Sequence, residues 1–81
     1  MNSARKLATQ AKVLELLAEG WELGHAHRVR GPARAWMQRK IGHGGESVSV
    51  HMASFEALRR KDLIEAVNSF PASPIIYRIK P

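Results

Sequence analysis

"ARAWMQRKI", Ala33–Ile41, has two readings, and the choice between them decides the fold. As a helix, Ala33, Trp36, Met37 and Ile41 fall on one side, Pro32 stands at the first helical position and Gly42 just past the end. As a strand, Ala35 and Met37 share one face while Arg34, Trp36 and Gln38 share the other. A strand here closes a hairpin with the segment before it, and a helix here gives two consecutive helices in the middle of the chain.

The segment before it alternates. In "WELGHAHRVRG", Trp21, Leu23, His25 and His27 are spaced by two, which predicts a strand from Trp21 to about His27. Gly31–Pro32 then breaks it. Upstream, Leu7, Ala11, Leu14 and Leu17 follow the helical period, and Val13 and Leu16 widen the apolar stripe. These positions predict a first helix from a Ser3 N-cap to about Glu19, with Gly20 in the left-handed position that ends it. Downstream, "GHGGES" is a loop whose spacing does not fit a phosphate-binding P-loop.

A second helix is expected from about His51 to Lys61, burying Met52, Phe55 and Leu58. On a 100° wheel its opposite face holds Ala53, Ala57, Arg60 and Lys61, with Ser54 and Glu56 at the margins. "LIEAV" and "IIYRIK" read as two strands around the loop "NSFPASP", so residues 63–79 form a hairpin. In the last strand Ile75, Tyr77 and Ile79 face one way, and Ile76, Arg78 and Lys80 the other.

The chain has 81 residues, enough for one domain with a modest core. It has no cysteine, which excludes disulfides and thiolate metal sites. No stretch reads as a signal peptide or approaches a membrane span, so a soluble cytoplasmic protein is expected. Thirteen Lys and Arg against seven Asp and Glu give a net charge of +6. With a pI near 10.6, this is the electrostatic profile of a nucleic-acid binder.

The helix followed by "LRRKDLIEAV", a loop and "IIYRI" resembles the C-terminal half of a winged helix-turn-helix domain, over about residues 50–80. The whole chain is also similar to small bacterial or phage-type domains carrying "GW.L", "R.W.Q" and a final "FP" loop. The resemblance implies an α+β winged-helix-like domain, ordered helix, strand, strand (or helix), helix, strand, strand. The strand is preferred for 34–39, and the helix would restore the full winged-helix order. Asp62 stands where that superfamily usually has Gly, and Asp tolerates the left-handed turn better than most residues.

The implied function is a small DNA-binding regulator, with helix 51–61 as recognition helix and hairpin 63–80 as wing. Ser54, Arg60 and Lys61 would enter the groove, and Arg59, Arg78 and Lys80 would meet the backbone of double-stranded DNA. Arg59, Arg60 and Lys61 also have a purely structural reason to sit together, since cations favour a helix C-terminus. A rival reading is a protein-interaction module, or a homodimer, in which an exposed Trp36 or Tyr77 is the anchor. His25 and His27 point the same way on their strand, as metal-binding pairs can, with His43 or His51 the candidates for a third ligand. A loop-rim histidine pair is the simpler reading, and no metal is expected. No nucleophile, base and acid are spaced for catalysis, so no enzyme activity and no cofactor are expected.

Overall fold

The computed structural model describes residues 8–26, 32–69 and 72–81. Seven elements follow in order: α1 (Gln10–Ala18), β1 (Glu22–Ala26), β2 (Arg34–Gln38), β3 (Ser47–Val50), α2 (Met52–Arg60), β4 (Ile64–Ala66) and β5 (Ile75–Ile79). The ambiguous stretch is thus a strand, and the chain is α+β. The five strands make one sheet in the order β3-β2-β1-β5-β4, with every neighbouring pair antiparallel. No helix among the described residues is long and apolar enough to cross a membrane.

The expected order lacks one strand. Ser47–Val50 pairs with β2 in the register Ala35↔Val50 and Met37↔Val48. Its four residues "SVSV" alternate, but they are squeezed between a glycine loop and a helix cap, and alternation that short carries little weight alone. Three strands therefore separate the helices, and a β2–β3 hairpin stands where a winged helix has its second helix.

The start of α1 also differs from expectation. Thr9 is the N-cap, its side chain accepting from the Lys12 backbone N–H, and Ser3 lies outside the described residues. Ala8 is drawn into a parallel bridge with Val50, its N–H donating to the Ser49 carbonyl at 2.9 Å. Pairing along the outer side of β3 outcompetes one more helical turn, because an edge strand offers unfilled carbonyls.

Both helices end in the same device. At α1, Trp21 N–H reaches the Leu16 carbonyl and Gly20 N–H the Leu17 carbonyl, with Gly20 at φ 100°. At α2, Leu63 N–H reaches the Leu58 carbonyl and Asp62 N–H the Arg59 carbonyl, with Asp62 at φ 62°. Each is a Schellman closure, and each turns the chain directly into the next strand.

Both helices pack on one face of the sheet. Leu23, His25, Ala35, Met37, Val50 and Ile64 point to that face and meet Val13, Leu16 and Leu17 of α1 and Phe55 and Leu58 of α2. Phe55 is the centre, fully buried, stacked on the His25 ring at 4.6 Å and edge-on to Tyr77 at 5.1 Å. Burying a side chain of this size contributes on the order of 1.5–3 kcal/mol. Ala57, expected on the solvent face, is buried instead. The cause is that α2 lies against α1 as well as the sheet, which widens its buried arc.

Candidate nucleic-acid interface

α2 is held at both ends by side chains that are not apolar. His51 is its N-cap, and Nδ1 accepts from the Ala53 N–H at 3.2 Å. Arg59 and Arg60 occupy the last turn and Lys61 the C-cap, where positive charge complements the helix dipole. The sequence alone therefore explains why a cation cluster can sit here, and the tertiary contacts decide which of the cations remain available.

Arg59 is 3.8 Å from Glu56 and lies over the Phe55 ring at 5.7 Å, so its stem is tied to the core. Lys61 Nζ donates to Gln10 Oε1 of α1 at 3.0 Å. Arg60 is exposed and has no hydrogen-bond or ion-pair partner among the described residues. Ser54 is half-buried on the same helix.

The two expected wing cations have partners. Arg78 places Nη2 at 2.7 Å and Nε at 2.8 Å from Glu65 Oε2, across the β4–β5 ladder. Lys80 Nζ is 2.6 Å from Asp62 Oδ2. That hydrogen bond, reinforced by the charge of Asp62, raises the Lys80 pKa above its ordinary 10.5. Tyr77 points toward α2, so Arg78, one residue on, points to the far face of the sheet. Arg78 and the α2 cations do not share one surface. Lys80, by contrast, returns to the end of α2 through Asp62, so Arg59, Arg60, Lys61 and Lys80 gather around one helix terminus.

The far face of the sheet holds a second group. The register places Glu22, Gly24, Arg34, Trp36, Gln38, Ser47, Ser49 and Ile76 there. No helix among the described residues packs on that side. Trp36 and Tyr77 are both half-buried: Tyr77 lies edge-on to Phe55 and lines the helical-side cavity, whereas Trp36 stands on the far face. The signal for this face was the Arg34, Trp36, Gln38 alternation, which becomes readable once 34–38 is taken as a strand.

On the helical side, His25, Arg59, Asn68 and Tyr77 help line a cavity of about 490 Å³ beside the β4–β5 hairpin. Of its polar lining, the Asn68 side chain is committed locally, donating to the Pro74 carbonyl and accepting from the Ile76 N–H. His25 is buried against Phe55, and His27 lies outside the described residues. Among the described residues no group of three or more His, Asp or Glu side chains is arranged to hold a metal ion. Phe70 and Pro71, the "FP" of the hairpin tip, also lie outside the described residues.

No protein-family model, no curated protein and no solved structure matches this chain.

Proposed function

We propose that the protein is a small DNA-binding domain of regulatory type, which meets duplex DNA through the C-terminal half of α2. The observation that carries this reading is Arg60, exposed and without a partner among the described residues, between Arg59 and Lys61 at a helix end. The net charge of +6 supplies the long-range attraction. The neighbouring strand order β1-β5-β4, entered directly from α2, supports a winged-helix-like use of the β4–β5 hairpin.

Within this reading Arg60, Lys61 and the half-buried Ser54 approach the groove, and Arg59 and Lys80 flank it against phosphates. Arg78 belongs to the other sheet face and contacts backbone only if DNA reaches around the hairpin. The test is a fluorescence-anisotropy titration of duplex DNA across a salt series. Three to four neutralised phosphates give a log–log slope near −3. No binding at low salt overturns the reading.

The rival, a protein-interaction module, is favoured by one observation: Trp36 stands on a sheet face that no helix among the described residues covers. A Trp36-dependent complex with a protein, and no retention on DNA, would decide for it.

A further inference from the structure

We propose that the sheet face opposite the two helices is a second nucleic-acid site, one that stacks an unpaired base on Trp36. This site is independent of α2, and its ligand is single-stranded nucleic acid rather than duplex.

The indole has a built seat. Trp36 pairs with Gly24 on β1 and with Ser49 on β3. A Cβ at residue 24 would stand 3.0 Å from Trp36 Cζ2, 3.1 Å from Cε2 and 3.1 Å from the Ile41 methyl. Those distances are too short for ordinary packing, so the ring rests directly on the Gly24 backbone because glycine leaves the space. The ring is also pinned in its plane. Trp36 Nε1–H donates to Gln38 Oε1 at 2.8 Å, and Gln38 Nε2 donates in turn to the Gly44 carbonyl at 3.2 Å.

The surroundings of the ring are polar. Arg34, Gln38, Ser47 and Ser49 join Trp36 around a recess of about 220 Å³. That is the volume of about seven waters at about 30 Å³ each, the scale of one heteroaromatic ring. Arg34 holds its guanidinium over the indole ring, 5.8 Å from the centroid, is exposed, and has no acidic partner among the described residues. A planar aromatic, a planar cation lying over it that an incoming base displaces toward its own phosphate, and hydroxyl and amide groups at the rim are what a nucleotide needs: a stacking surface, a phosphate contact and hydrogen bonds to base edges. The core of a protein–protein patch is apolar and depleted of charge, whereas the residues immediately around this indole are Arg34, Gln38, Ser47 and Ser49. Duplex DNA hides its base faces within the stack, so the platform selects an unpaired strand.

The experiment is anisotropy with fluorescein-labelled single-stranded 12-mers, dT12 and U12, at low salt. Folding of each variant is checked by circular dichroism and thermal melting. Wild type is expected to bind at least one oligomer, and the ratio between the two reports whether the 2′-hydroxyl is read. Trp36→Ala is expected to weaken binding about 5- to 150-fold, the range of one lost base stack. Trp36→Phe keeps most of it. Arg34→Ala weakens binding and lowers the salt slope by about one. Arg60→Ala with Lys61→Ala leaves it unchanged, which separates this site from the one on α2.

If Trp36→Ala does not fold, Arg34→Ala and Trp36→Phe decide. Undiminished binding by Arg34→Ala, or a loss in Trp36→Phe as large as that expected for Ala, overturns the proposal. So does failure of wild type to bind either oligomer, or a Trp36-dependent dimer in sedimentation.

Discussion

Lys80 reaches back to Asp62, Nζ to Oδ2 at 2.6 Å, and fastens the end of the last strand to the turn that closes α2. The Lys80 N–H also donates to the Leu63 carbonyl at 2.9 Å, so side chain and backbone fix the same junction. The junction orients the helix end that carries Arg59, Arg60 and Lys61.

This contact predicts a pH dependence. The hydrogen bond to Asp62, then its charge, raises the folded-state pKa of Lys80 above the ordinary 10.5. A raised pKa in a base means the charged form is favoured by folding. The contribution is therefore complete below the unfolded pKa and is lost as pH rises through the folded value. An NMR titration of the Lys80 side chain should give a midpoint above 10.5, and Asp62→Asn should bring it back down.

Asp62 sits at φ 62°, in the left-handed region. Asp62→Val should lose stability by about 1–2 kcal/mol, because a β-branched residue is strained there. Asp62→Gly removes the strain but also the Lys80 ion pair, an exposed contact that solvent screens. Urea melts should place glycine well above valine. Equal midpoints for the two would show that the turn does not constrain the backbone.

Gly24→Val should drive the indole off its seat. Overpacking of this kind costs about 1–3 kcal/mol. In a Trp21→Phe background, Trp36 emission should shift to the red as the ring is released to solvent.

Phe55 touches His25, Tyr77 and Arg59 from the middle of the core. Phe55→Ala should cost about 3–5 kcal/mol. For a domain whose total stability is about 5–15 kcal/mol, that is a large fraction, and the melt should move or lose cooperativity.

For duplex DNA, Arg60→Ala with Lys61→Ala should weaken binding and flatten the salt slope by about two. The melting temperature should hardly move, since Arg60 has no partner among the described residues and Lys61 has only an exposed bond to Gln10. Arg78→Ala should do the reverse. It frees Glu65 and leaves duplex affinity nearly unchanged, because its side chain is on the other face of the sheet.

Local pattern alone made much of this chain readable. Period-two spacing marked β1 and β5, helical spacing marked α2 with Phe55 and Leu58 inside, and the run of cations marked the helix end; the Asp62 turn was expected only from the winged-helix resemblance. These are properties of neighbouring residues, and one stretch of chain contains them. Other features needed partners distant in sequence. Ala33–Ile41 fits two periods, and pairing of Arg34–Gln38 with β1 and β3 makes it a strand. "SVSV" is too short to declare itself, and Ala8 leaves the helix because a strand edge is beside it. Ala57 is buried on a helix that lies against α1 as well as the sheet, an arrangement that no wheel of α2 can reveal.

The same division holds for the candidate sites. Composition determined that the surface is basic, and α2 chemistry determined that three cations adjoin. Tertiary structure decided which of the expected contact cations have partners: Glu65 holds Arg78, Asp62 holds Lys80, Gln10 holds Lys61 and Glu56 lies beside Arg59, while Arg60 has none among the described residues. It also decided that both helices cover one side of the sheet, leaving Trp36 seated on Gly24 on the other. Charge is additive along a sequence, whereas the availability of a charge depends on what the fold brings within about 3 Å of it.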